Sequence, residues 1–411
     1  MSLRRQLLVS FALQGAGSAS VLLATVWLGA SLGPEVQGGF SRTKAEIEFI
    51  AAVAMFGLPQ SLFFQVKSGA LSGRVAQRWA LGSAALALPI GAAYGLTQHG
   101  QAGPGLLLLF GLAVAAYVAH GQLRVLLLAR LRTEWFNVLT ALPQVLLLAG
   151  VGVVVGWGVA LAAGQGTAVW LWVFGLAYGA AALVAWRRLG TAPELPAAAT
   201  PAGWRVLGRY GLATWLTAVL ATAAALAAQR WVEGSAGLAA LGQFTLAMTL
   251  VQVPLTPVTY AAPLLFRRWM EQSGARASQR LAALLFMGLL GVAAAVGLAA
   301  PLWPDLALGP AYAGATAALA VLLAGGAAEA ASRVLTVHAS ASGLPWVGVR
   351  AEAARWVALG LGWLLLPQPL GLLALCAVWA AAAWAAALVV VVQARVAAAA
   401  GDADATQEVV R

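Results

Sequence analysis

Uninterrupted apolar runs are the feature that most restricts what this chain can fold into. Residues 7–31, 106–123 and 370–392 are each apolar over a length comparable with the hydrocarbon core of a bilayer, which an α-helix crosses in about 20 residues. In lipid every backbone N–H and C=O must be paired inside the protein, so segments of this kind are helical. A transmembrane barrel would need strands of alternating polarity, and these runs are continuous. Charged residues make up 9% of the chain and apolar residues 62%, whereas a soluble domain carries about a quarter charged residues. The sequence therefore predicts an all-α polytopic membrane protein.

The pattern divides into about twelve transmembrane helices. The first six lie at roughly 6–31, 37–66, 79–98, 104–130, 137–160 and 166–187. The second six lie at roughly 206–231, 236–266, 281–303, 311–338, 346–366 and 370–394. Between the sets, residues 189–205 are rich in Pro, Ala and Thr, as a linker would be. This gives an N-terminal six-helix lobe over 1–188, a cytoplasmic linker over 189–205, a C-terminal six-helix lobe over 206–394 and a cytoplasmic tail over 395–411. Arg4 and Arg5 before an apolar run resemble a signal peptide, but the many equally apolar segments that follow favour an uncleaved first helix.

The formal charge of +11 reads as topology rather than as a nucleic-acid surface. With the N-terminus in the cytoplasm, the inside segments hold Arg4, Arg5, Lys67, Arg74, Arg78, Arg130, Arg132, Arg187, Arg188 and Arg205, then Arg267, Arg268, Arg276, Arg280, Arg395 and Arg411. The opposite loops, at 32–36, 99–103, 163–165, 234, 301–310 and 367–369, hold no Lys or Arg. Both termini are thus expected in the cytoplasm. Tryptophans near the expected helix ends (Trp79, Trp135, Trp204, Trp231, Trp303, Trp346) fit interfacial belts.

A shift of 204 positions superposes Arg5 on Arg209, Leu22 on Leu226, Gly38 on Gly242, Phe40 on Phe244, Ser41 on Thr245 and Pro59 on Pro263. The shift spans an even number of helices, so both halves begin on the same side. This is a parallel repeat, with two lobes related by a pseudo-two-fold axis along the membrane normal.

Motifs for chemistry are missing. Lys44 and Lys67 are the only lysines, and neither sits in a phosphate-binding GxxxxGK[ST] loop. No HExxH, GxSxG or Cys/His ligand cluster occurs, and Cys376 stands alone. The outer loops are too short for a catalytic domain. Neither an enzymatic activity nor a metal or organic cofactor is expected.

Charged residues inside membrane helices cost about 2.5–3.5 kcal/mol each on insertion scales, which makes them candidates for function. In helix 2, Arg42 precedes Glu46 by four residues and Lys44 precedes Glu48 by four, so each pair can neutralise itself along the helix. Alternatively, lipid begins near Ile47 and these charges are wet. Arg230 reads either as lining a cavity or as snorkelling outward beside Trp231. His120 with Arg124, and Glu329 with Arg333, repeat the four-residue spacing in helices 4 and 10, either as ion-pair or coupling residues or as cytoplasmic-end anchors. Pro59, Pro143, Pro254, Pro257 and Pro263 can hinge the helices or simply be tolerated there.

Residues 32–40, Leu-Gly-Pro-Glu-Val-Gln-Gly-Gly-Phe, followed by Gly57-Leu58-Pro59-Gln60, resemble the start of bacterial polysaccharide flippases. The second half echoes them in Gln229-Arg230, Ala236-Gly237-Leu238, Gly242-Gln243-Phe244 and Pro263. The superfamily also holds multidrug/toxin extrusion antiporters and the lipid II flippase. The resemblance implies a V-shaped pair of six-helix lobes in the bacterial cytoplasmic (inner) membrane. The cargo it implies is a polyprenyl-diphosphate-linked saccharide, moved from the inner to the outer leaflet by alternating access, with envelope polysaccharide assembly proteins as partners.

A diphosphate headgroup calls for fixed cations, and Arg42, Lys44 and Arg230 are the candidates. The alternatives are a cation-coupled multidrug extruder and, further off, an integral membrane transferase of envelope glycan assembly. Helix 1 has no carboxylate, whereas an extruder of cationic drugs would want acids in its cavity. On sequence that consideration favours the flippase.

Overall fold

The computed structural model describes residues 3–67, 69–98, 103–130, 132–157, 166–190, 204–271, 275–306 and 308–409. Among the described residues there is no strand. The helices are α1 (Leu3–Ala54), α2 (Leu58–Lys67), α3 (Gly73–Gln98), α4 (Pro104–Ala129), α5 (Thr133–Gly156), α6 (Gly166–Gly190), α7 (Trp204–Glu271), α8 (Ala275–Ala299), α9 (Ala315–Ala341), α10 (Val347–Leu365) and α11 (Leu372–Val409). The expected linker lies, from residue 191 to 203, outside the described residues.

At 52 and 68 residues, α1 and α7 are each too long for one crossing. Each bends at a single glycine, Gly33 (φ 83, ψ 171) and Gly237 (φ 84, ψ 174). That region of backbone space is essentially closed to residues with a Cβ. Pro34 follows directly; it has no N–H to leave unpaired and its fixed φ suits the first turn of a new helix. The loops expected at 32–36 and near Gly234 are therefore corrected to kinks within continuous helices, because one glycine suffices to turn the chain.

Helix 2 is interrupted in its middle. After Ala54 the chain turns through Phe56 (φ 46) and Gly57 (φ 68), then resumes as α2 with Pro59 in its first turn. The equivalent Pro263 leaves α7 unbroken. Among the described residues, dividing α1 and α7 at their kinks, and joining the second half of α1 to α2, gives twelve helical segments, six in each half of the chain. The all-α, twelve-span expectation holds.

The chain forms two compact units, Met1–Arg230 with Leu238–Thr245, and Trp231–Gly237 with Leu246–Arg411. In the first, α4 is the central helix, packed against α3 and α6, while α1 lies on α5. Helix association in lipid rests on close packing rather than on the hydrophobic effect, which favours small residues at contacts. Accordingly Ala76, Ala80, Ala84 and Ala87, spaced three or four apart on α3, are all buried. Phe40 of α1 stacks on Phe174 at 5.2 Å and meets Trp170 edge-on at 5.1 Å, which joins α1 to α6.

The repeat has a local counterpart inside this first unit. A Cβ on Gly38 would strike the carbonyl of Leu238, and one on Gly242 would strike the carbonyl of Pro34. The two contacts exchange under the 204-residue shift. In the second unit α9 is central, between α8 and α11, and α10 packs on α11. Large exposed side chains such as Leu86, Leu176, Leu284 and Leu298 lie on the helix faces turned away from these cores, as lipid contact requires.

Candidate functional site

Three helices of the first unit bring charged and polar side chains together. The second half of α1 supplies Arg42, Lys44, Glu46 and Glu48, α3 ends at Gln98, and the first half of α7 supplies Arg230. Lys44 Nζ lies 2.7 Å from Glu48 Oε1, as the four-residue spacing predicts, and both side chains are about one-third exposed. Glu46 is completely buried, so the wet alternative does not describe it. Arg230 donates from Nη2 to Glu46 Oε1, and also to Gln98 Oε1 at 3.1 Å.

Arg230 is 35% exposed while Glu46 is 0% exposed, so the pair runs from an accessible guanidinium to an enclosed carboxylate. A buried carboxylate without a partner is costly, and removing one member of such a pair typically costs about 3–5 kcal/mol. The chemical content of the site is a buried acid paired with an arginine from another helix, with Arg42 half-buried one turn away. Arg230 thus carries less uncompensated positive charge than its sequence neighbourhood suggests.

His120 and Arg124 share a face of α4 but take separate partners on α5. His120 Nε2 lies 2.7 Å from the carbonyl of Leu139, with its ring edge-on to Tyr178. Arg124 Nη1 donates to Thr140 Oγ1 at 3.2 Å and its guanidinium sits over Phe136. Their geometry is that of a polar clamp between two helices.

In the second unit, Arg333 donates to Glu329 Oε1 at 2.6 Å from Nη2, as the spacing predicts. It also donates to Thr259 Oγ1 at 2.8 Å. Sequence reasoning missed the other half of this network. Arg355 of α10 lies 3.7 Å from Glu329 Oε2 and 3.0 Å from Glu352 Oε2, and it stacks over Trp379 of α11. Two acids and Arg355 are therefore enclosed among α7, α9, α10 and α11, with the one-third-exposed Arg333 at the edge of the network. The signal was available in Glu352 and Arg355, three residues apart on an apolar helix. Among the described residues no group of three or more His, Cys, Asp or Glu could hold a metal ion.

No protein-family model matches the chain, and no curated protein matches it. Solved structures do. One is a multidrug resistance MATE family transporter of the MOP superfamily in an inward-facing conformation, at 16% identity and a TM-score of 0.67, covering 96% of this chain and 98% of that one. A second is an outward-facing MATE transporter, at 14% identity and a TM-score of 0.62, covering 97% of each chain. A third is a MOP superfamily transporter from Pyrococcus furiosus, described as having a binding pocket of reverse polarity, at 15% identity and a TM-score of 0.67, covering 96% of each chain. Over nearly its whole length, this chain has the fold of the MATE transporters of the MOP superfamily.

Proposed function

We propose that the chain is a membrane transporter that exports amphipathic organic molecules by alternating access, driven by cation entry, with Glu46 as the coupling carboxylate. The observation that carries this reading is the fully buried Glu46 paired to Arg230. Protonation or cation binding at Glu46 removes the charge that holds Arg230, so occupancy of one small site changes the packing of two helices. A carboxylate in that position supplies what the absence of acids from helix 1 had left wanting. Structural neighbours recorded in inward- and outward-facing conformations, and named for multidrug resistance, support the same reading.

Saccharide-lipid flipping is the second reading, favoured by the resemblance at residues 32–40 and by the half-buried Arg42, Lys44 and Arg230. In that case the arginines engage the cargo's diphosphate, bidentately and without a metal. A structural neighbour whose binding pocket is described as of reverse polarity supports this second reading. In either case we place the chain in a bacterial cytoplasmic membrane with both termini inside, and propose no catalytic step.

The two readings separate in proteoliposomes holding the purified chain. One set receives an organic cation such as ethidium under an imposed pH or sodium gradient. The other carries a polyprenyl-diphosphate saccharide whose outer-leaflet fraction is read by an impermeant hydrolase. Gradient-dependent movement of ethidium alone is the expected result. Movement of the saccharide-lipid alone transfers the assignment to the second reading.

A further inference from the structure

At the basic end of the first unit, α3 begins and α4 and α6 end around a cavity of about 440 Å³. Its lining includes Arg74 and Gln77 of α3, Arg130 at the end of α4, and Trp186, Arg187 and Leu189 of α6; among the described residues no acidic side chain lines it. Three arginines from three helices converge there. An arginine that serves only to orient a helix extends into water or headgroups. Arg130 is instead buried, at 6% exposure, and donates from Nη1 to the carbonyl of Leu189 at 2.8 Å. Its guanidinium lies so close to Gly73 that a Cβ there would collide with it. A cation is thus fixed at the opening turn of α3, where the helix dipole is already positive. Arginine forks around a helix N-terminus suit a phosphate, which accepts from backbone and side chains together.

A second observation indicates which kind of phosphate. Trp172, Leu176, Leu183 and Trp186 are exposed along one face of α6, and the last of them lines the cavity. An apolar stripe leading out of a basic pocket suits a headgroup with acyl chains attached, whereas a soluble anion makes no use of it. The volume is within the range of pockets that take small organic ligands, roughly 300–1,000 Å³.

We propose that this cavity binds the phosphate of an anionic phospholipid, with Arg74, Arg130 and Arg187 on the headgroup and the acyl chains along the α6 stripe. The site is separate from the Glu46–Arg230 pair and does not depend on the transport reading.

The test uses the full chain in phosphatidylcholine nanodiscs titrated with phosphatidylglycerol, the lipid retained being counted by native mass spectrometry. Arg74 and Arg187 are exposed, so Arg74→Ala/Arg187→Ala spares the buried Arg130 and the helix contacts it makes. One phosphatidylglycerol retained per chain is expected, with affinity lowered roughly tenfold or more in that double variant, from the loss of charge-assisted hydrogen bonds. Arg74→Lys/Arg187→Lys should fall between, since charge survives without the bidentate fork.

The comparison variant is Arg276→Ala/Arg280→Ala, which removes equal charge at the start of α8 and should leave retention unchanged. Equal loss in the two alanine variants would show diffuse charge attraction and overturn the site. A parallel arm adds inorganic phosphate. Displacement of the lipid by millimolar phosphate would overturn the lipid assignment in favour of a soluble anion.

Discussion

Gly33 and Gly237 stand 204 residues apart and hold nearly the same backbone conformation, φ 83 and ψ 171 against φ 84 and ψ 174. Each joins two membrane helices without a loop, and the helices that follow place Gly38 against Leu238 and Gly242 against Pro34. The duplicated sequence is thus also a duplicated turn.

Replacing either glycine tests that equivalence. A Cβ in this backbone region costs about 1–3 kcal/mol. Gly33→Ala and Gly237→Ala should each lower the thermal midpoint in detergent by a similar amount, and Gly15→Ala, in open space within α1, should not. Unequal losses at the two kinks would show that the turns are not equivalent.

The network of the second unit makes a second prediction. Arg355 is 9% exposed and serves both Glu329 and Glu352. Arg355→Leu should destabilise the protein by about 3–5 kcal/mol, as expected when a buried pair loses one partner. Pairing it with Glu352→Leu should recover part of that loss, giving a coupling energy on the order of 0.5–3 kcal/mol in a double-mutant cycle read by denaturation. Additive losses would mean that the two side chains are only neighbours.

Local periodicity made part of this arrangement legible. Lys44 with Glu48 and Glu329 with Arg333 are four apart on single helices, and helix geometry alone brings each pair together. Glu46 was legible as a charge but not as a buried one, because its partner Arg230 arrives from 184 positions away through tertiary packing. The pairing of Arg355 with Glu329 was hidden for the same reason. Arg130 read as one more inside charge, since positive-inside counting does not distinguish a solvated arginine from one folded against Gly73. Helix 2 read as one span with Pro59 either a hinge or simply tolerated; the chain turns there at Phe56 and Gly57, whereas the matching Pro263 lies inside the unbroken α7.

Orientation gives a third prediction. In a Cys376→Ser background, which removes the chain's one cysteine, Trp303→Cys should label with an impermeant thiol reagent on intact cells. Arg78→Cys should label only after permeabilisation. Both positions are exposed. The reverse pattern would invert the topology read from the arginines.

The Glu46–Arg230 pair carries the account's central claim, and gradient-driven transport by Glu46→Gln tests it most directly. In proteoliposomes, wild-type protein should move an organic cation at a rate that rises with the imposed cation gradient. Glu46→Gln keeps the shape and a hydrogen-bond acceptor for Arg230 but cannot take up or release the coupling charge. It should insert and fold, yet lose nearly all of the gradient-driven rate. A Glu46→Gln variant that transports at the wild-type rate with the same gradient dependence would contradict the assignment of Glu46 as the coupling carboxylate.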